Sequence, residues 1–177
     1  MKIIRDTREQ DGYSFEHERY AETTIEVGTL DTGDYSLSGL TDKVAAERKS
    51  IPDLVACLSR ERERFARELL RGAALDAFCV AVEGSFTELA NGQYRSQMNP
   101  HAACQSVAAF TARYNIPFVF CGSRSAAEYF VHSFLRQYLE GAQKRLKAIV
   151  KAHGSPADAA KCAACKQTDG CEHAPQN

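Results

Sequence analysis

The spacing of apolar and polar positions divides the chain into a β-rich first third and a remainder in which helices and strands alternate. Residues 2–7 read as a short strand that ends among charged residues. Residues 10–21 are polar and aromatic without a clean period, which predicts a loop. Residues 23–30 alternate and are rich in β-branched side chains, which predicts a strand. Asp31-Thr32-Gly33-Asp34 is turn chemistry. Residues 35–40 form the next strand, and Gly39 to Asp42 close a hairpin into a strand over 43–49.

Ser50-Ile51-Pro52-Asp53 then opens a helix, with a capping Ser, a Pro in the first turn and an acid near the positive end of the dipole. The pattern predicts one helix to about Arg71, with Leu54, Leu58, Phe65, Leu69 and Leu70 on its apolar side and Gly72 ending it. Residues 78–82 read as a buried strand, 85–94 contain a short helix, 100–114 form a helix after Asn99, and 117–121 form another buried strand. A long helix follows over 123–153, where Phe130, Phe134, Tyr138, Ala142 and Leu146 recur at helical spacing. This succession predicts an α/β domain over residues 1–153, with helices flanking a mixed central sheet. Gly154-Ser155-Pro156 marks the boundary to a small Cys-rich C-terminal tail, residues 154–177.

Composition changes this picture little. The 44% hydrophobic and 25% charged content is that of an ordinary globular protein. A formal net charge of −1 argues against an all-over basic surface and leaves room for a local basic patch. The amino terminus meets charge too early for a signal peptide, and no apolar run approaches the roughly 20 residues that span a bilayer. The expectation is an intracellular protein, free of membranes, with reduced thiols. Cys57, Cys79, Cys104 and Cys121 lie in apolar segments and read as core thiols.

The chemistry concentrates at Glu47-Arg48-Lys49. Alternate side chains of a strand share a face, so Glu47 and Lys49 point one way and Arg48 the other. A carboxylate and an ammonium on one face can hold a divalent metal and a water together. Asp34, at the turn, and Asp6, at the end of the first strand, are acids that can converge on the same place. Hard carboxylate oxygens suit Mg²⁺ or Mn²⁺. A bound metal acidifies water and neutralises charge growing on a phosphate, and Lys49 can orient the nucleophile or stabilise the transition state. The pattern fits metal-dependent phosphodiester cleavage. The plainer alternatives are a surface ion pair for Glu47 and Lys49 and a turn residue for Asp34.

Asp6-Thr7-Arg8-Glu9, Gly33-Asp34-Tyr35 and Glu47-Arg48-Lys49-Ser50-Ile51-Pro52-Asp53 resemble the nuclease domain of the XPF family of structure-specific DNA endonucleases. The signature there is Gly-Asp, then Glu-Arg-Lys, three residues and Asp. The resemblance covers roughly residues 1–145 and includes Val82-Glu83-Gly84 and Tyr114-Asn115-Ile116-Pro117. It implies a restriction-endonuclease-like fold and a Mg²⁺- or Mn²⁺-dependent endonuclease acting on branched, flap or fork DNA in repair or recombination. It further implies Asp34 and Glu47 as metal ligands, Asp6 as a nearby third acid, and Lys49 as the residue that positions or activates water. Arg8 and Arg48 would contact phosphate or brace the carboxylates. Asp53 would hold Arg48 or Lys49, although its place at a helix start explains it equally. Glu9 is a further candidate. Two alternatives stay open: a non-catalytic DNA-binding scaffold of the same fold, and a nuclease without structure preference.

Domains of this family pair through their C-terminal helices. The long helix is therefore expected to join a second copy or a partner protein through Phe130, Phe134 and Tyr138, a stripe that core packing would also explain. The sequence beyond that helix is not expected to supply the tandem helix-hairpin-helix module of many members, so grip on DNA is expected from dimerisation, a partner or the tail. Arg60, Arg62, Arg64, Arg67 and Arg71 alternate with Glu61, Glu63 and Glu68 and read mainly as surface ion pairs. One or two of them, with Lys43 and Arg95, can reach phosphates if they face the cleft. In the tail, Cys162, Cys165, Cys171 and His173 make a complete tetrahedral set for structural Zn²⁺. The alternative there is a disordered segment carrying thiols.

Overall fold

The computed structural model describes residues 1–154. Its strands are β1 (Lys2–Asp6), β2 (Thr24–Gly28), β3 (Tyr35–Leu37), β4 (Val44–Lys49), β5 (Ala77–Val82) and β6 (Phe118–Phe120). They form one sheet in the order β2-β1-β3-β4-β5-β6. β1 runs parallel to β2 and antiparallel to β3, β3 is antiparallel to β4, and β4, β5 and β6 are parallel. The helices are α1 (Ile51–Leu58), α2 (Arg62–Gly72), α3 (Phe86–Ala90), α4 (Pro100–Tyr114) and α5 (Arg124–His153), with a 3₁₀ turn at Glu18–Tyr20. This is the mixed sheet flanked by helices that the sequence predicts. Residues 1–139 form one compact unit, and a second begins at Glu140, within α5.

Strand alternation sorts the side chains onto two cores. Ala45, Phe78, Val80 and Val82 point to one face, where Leu54, Leu58, Phe65, Leu69 and Phe110 from α1, α2 and α4 cover them. Val44, Ala46, Cys79 and Ala81 point to the other, beneath Tyr13, Phe15, Tyr20 and the α5 residues Ala127, Val131 and Leu135. By the same parity Glu47 and Lys49 belong to the α1/α2 side and Arg48 to the α5 side.

Several expectations are corrected. The single helix over 51–71 is two helices. The Ser59 hydroxyl donates to the carbonyls of Val55 (2.6 Å) and Ala56 (3.3 Å), taking up last-turn acceptors and letting the chain turn before α2. The strand over 23–30 contracts to β2, at one sheet edge. β6 is the other edge and is only half-buried. On α5, Phe130, Phe134 and Tyr138 lie at the margin of the protein's own core, and the Tyr138 hydroxyl donates to Asp76 (2.8 Å). Leu146 is exposed. Cys57 and Cys79 are buried as expected, whereas Cys104 and Cys121 are half-buried. Among the described residues no helix is long and apolar enough to cross a membrane. The candidate zinc ligands Cys162, Cys165, Cys171 and His173 lie outside the described residues.

Candidate active site

The site starts from a glycine. Gly33 has φ +79°, and a Cβ there would come within 2.9 Å of the Ala45 Cβ and 3.2 Å of the Ala46 carbonyl. Only glycine allows this approach. It lets Asp34 bond in both directions: its N–H donates to Ala46 O (2.9 Å), and its carbonyl accepts from the Asp6 N–H (2.9 Å). Its Oδ2 accepts from the Arg48 N–H (2.8 Å). Asp34 is thereby fixed by backbone beside the C-terminal end of β4.

Glu47 and Lys49 occupy that end on the same face. Glu47 is 2% exposed. Its Oε1 accepts from Lys49 Nζ, while its Oε2 is buried without a hydrogen-bond donor among the described residues. Lys49 Nζ lies 5.8 Å over the Phe65 ring. The cleft beside them has a volume of about 260 Å³ and is lined by Glu9, Asp34, Arg48, Lys49, Asp53 and Arg64 among others.

Burial, reinforced by the Glu47 charge, pushes half-buried Asp34 up to about 8. Burial raises Glu47 as well; Lys49 opposes this, and Glu68 of α2 adds to it. Burial disfavours the Lys49 ammonium, but Glu47, Asp34 and Glu68 outweigh it and hold its pKa above the usual lysine range. Lys49 is therefore a permanent cation at neutral pH. Among the described residues no three His, Cys, Asp or Glu side chains converge as a ready-made metal nest. Mg²⁺ commonly takes one or two carboxylates and fills its remaining positions with water. The pair Asp34 and Glu47, with one oxygen lacking a donor and both pKa values raised, fits such an ion.

The ERCC4 domain matches residues 5–134. The chain belongs to the ERCC4 domain family. That makes it a member of a family of DNA nuclease domains. Two solved structures share the fold of this ERCC4 domain. XPF from Aeropyrum pernix aligns with a TM-score of 0.62 at 19% identity, over 78% of this chain and 61% of that one. XPF from Aeropyrum pernix in complex with DNA aligns with a TM-score of 0.60 at 20% identity, over 79% of this chain and 66% of that one. The chain thus spans less than two thirds of either. No curated protein matches it.

The ERCC4 domain places the remaining predicted residues differently from expectation. Asp6 is 1% exposed, and both of its oxygens are occupied: Oδ1 accepts from Arg8 N and Nε (2.8 and 2.7 Å), and Oδ2 from an Arg8 terminal nitrogen and Leu30 N (3.0 and 2.7 Å). Burial works against its charge, yet these bonds hold its pKa below the usual carboxylate value. Asp6 is thus a strut for the loop at Leu30 and has no oxygen left for a metal. Arg8 braces that strut. Asp53 accepts from the Ser50 hydroxyl (2.6 Å) at the N-cap of α1, and neither Arg48 nor Lys49 is its partner.

Arg48 turns to the opposite face of β4. There it forms a bidentate pair with Glu83 (2.7 and 2.9 Å) and reaches Glu9 (3.3 Å) and Asp11 (3.2 Å). Arg124, from the start of α5, joins the same Asp11 (3.1 Å) and Glu83 (3.2 Å). Both guanidiniums lie over the Tyr13 ring, at 5.7 and 5.2 Å. Arg48 is therefore saturated by carboxylates other than Asp34 and Glu47, and only its backbone N–H serves the site. Sequence reading missed Glu83, Arg124 and Glu68 as neighbours of the site. Glu83 had a signal, the acid closing an apolar strand. Glu68 had none, because it stands among the alternating charges of α2 and reads as one more surface ion pair.

Proposed function

We propose that this chain is a metal-dependent DNA endonuclease that uses Mg²⁺ or Mn²⁺ to hydrolyse phosphodiester bonds in branched, flap or fork DNA. The observation that supports it is the recessed pair Asp34 and Glu47 beside a permanently charged Lys49. A divalent ion held by the two carboxylates would supply Lewis-acid activation of water and neutralise charge on the phosphate. The protein's own part is positional. The Arg48 N–H fixes Asp34, the Lys49–Glu47 bond fixes the ammonium, and the Arg48–Glu83 pair anchors the strand that carries both. Lys49, being protonated, donates to the nucleophile or to a phosphate oxygen and does not remove a proton. The preference for branched DNA is drawn from the family resemblance, and a DNA-bound XPF of the same fold is consistent with a DNA substrate. Repair or recombination is the process such a substrate implies. Pairing with a second copy or a partner would run through the distal turns of α5, where Leu146 and Ile149 are exposed.

The test is cleavage of fork, flap, nicked and plain duplex DNA, with Mg²⁺ or EDTA, by wild type and Asp34→Ala. Metal-dependent cutting of the branched substrates, lost in the variant, is expected. Cutting that survives Asp34→Ala would remove the proposal.

A further inference from the structure

Most basic side chains near the cleft are already committed. Arg48 is saturated as described, and Arg8, although its side chain is 68% exposed, is tied through Nε and one terminal nitrogen to Asp6 and to Leu30 O (2.7 Å). Arg62 turns inward, donating to Leu58 O (3.1 Å) and Ser106 Oγ (2.9 Å) with its guanidinium 4.5 Å over Phe110. Arg64 pairs with Glu61, Arg71 donates to Asp31 O (3.2 Å), and Lys43 pairs with Asp42 (3.2 Å) at the far end of β4. Arg60 and Arg95 differ. The Arg60 side chain is 79% exposed and, among the described residues, reaches only Glu61, at 3.7 Å. Arg95 is exposed and has no ion-pair or hydrogen-bond partner among the described residues.

Both line a second hollow of about 210 Å³ between α1 and the loop that carries Tyr94, Arg95 and Ser96. Ala56 and Arg60 line this hollow and the catalytic cleft alike. Ala56 lies in the last turn of α1 and Arg60 in the turn that follows the helix, and together they form the divide between the two. Ala56, with only a methyl group, is the low point of that divide.

We propose that one DNA strand leaves the catalytic cleft over Ala56 and is held in the second hollow by Arg60 and Arg95 through its backbone phosphates. The proposal rests on the reading of the cleft as a DNA-cutting site. Charge complementarity selects the occupant, since two guanidiniums and no carboxylate line a hollow that adjoins the cleft. Phosphate contacts fix path and register without reading bases, so this grip is independent of sequence. It supplies a hold on DNA from within the nuclease domain itself.

The test is fluorescence anisotropy of a labelled fork with Ca²⁺ in place of Mg²⁺, over a salt series, for wild type, Arg60→Gln/Arg95→Gln, Ala56→Leu and Arg67→Gln. The double variant should bind about tenfold more weakly and lose roughly 0.7–0.9 of salt slope per phosphate contact. Ala56→Leu, which raises the divide, should also weaken binding. Arg67 is exposed and lies outside both hollows, so its variant should match wild type. A double variant with wild-type affinity and slope overturns the proposal, as does wild-type protein that does not bind the fork. Wild-type protein that shows this binding profile yet cuts nothing in Mg²⁺ overturns the nuclease reading and leaves the grip standing.

Discussion

Asp6 and Asp34 are joined by a backbone hydrogen bond, yet their carboxyl groups are in opposite states. Asp6 receives four donors and its pKa falls; Asp34 is fixed through one oxygen and its pKa rises to about 8. Their variants should therefore diverge. Asp6→Ala strands the buried Leu30 N–H and the Arg8 guanidinium, and should lower stability by about 2–3 kcal/mol. Asp34→Asn keeps an acceptor for the Arg48 N–H and removes a carboxylate that burial disfavours. It should raise the metal-free melting temperature at pH 8 while reducing cleavage more than about 100-fold, beyond the usual loss from an outer neighbour of a metal. Melting curves and single-turnover cleavage measure the two effects, and an Asp34→Asn protein less stable than wild type at pH 8 would contradict the assignment. The residue types and spacing made Asp34, Glu47 and Lys49 legible as a group, because strand parity fixes which side chains share a face. They could not make Asp6 legible. Whether an acid is a ligand or a strut depends on donors such as Leu30 N, which the tertiary fold delivers from elsewhere in the chain.

β4 works as an element with two charged faces. One carries Glu47 and Lys49, and the other carries Arg48 in a network that ties together the loop after β1, the end of β5 and the start of α5. Within that network the Arg48–Glu83 pair is the buried part, with side chains 11% and 8% exposed, whereas Arg124 is 41% exposed. Glu83→Ala leaves a buried guanidinium short of its main partner and should cost about 3–5 kcal/mol. Arg124→Gln removes screened, partly exposed contacts and should cost less than about 1 kcal/mol. Denaturant melts of the two variants give the comparison; equal losses would mean that Arg48 is not the hub. The strands, the hairpin and the capped helix starts were legible, since alternation, turn residues and N-caps are local signals. The break between α1 and α2 was not. Leu54, Leu58, Phe65 and Leu69 keep one apolar phase across it, and only the back-bonding of Ser59 marks the stop. The stripe on α5 left two readings open for a related reason. Periodicity finds an apolar face without saying whether the protein's own sheet or another chain covers it.

For the molecule as a whole, a net charge of −1 conceals charges sorted by position. Acids are recessed at the cleft, and the exposed arginines Arg60 and Arg64 stand at its rim. The recessed acids carry a thermodynamic consequence. Asp34 titrates near 3.8 when unfolded and near 8 when folded. Between those values the folded chain keeps a proton that the unfolded chain has released. Stability of the metal-free protein therefore falls as pH rises through this window, and the loss is complete above about 8. Glu47, raised in the same direction, adds to the slope. A divalent cation must displace the Asp34 proton, so its apparent affinity should drop about tenfold for each pH unit below 8. Since a ligand of the folded state stabilises in proportion to the logarithm of its saturation ratio, Mg²⁺ should raise the melting temperature more at pH 8 than at pH 6. EDTA should abolish the difference, and Asp34→Asn should abolish both the Mg²⁺ response and most of the decline of metal-free stability with pH. Differential scanning fluorimetry of wild type and variant at the two pH values, with and without metal, measures all of this. A Mg²⁺ response as large at pH 6 as at pH 8 would show that Asp34 does not give up a proton to the metal, and would move the ion away from the Asp34–Glu47 pair.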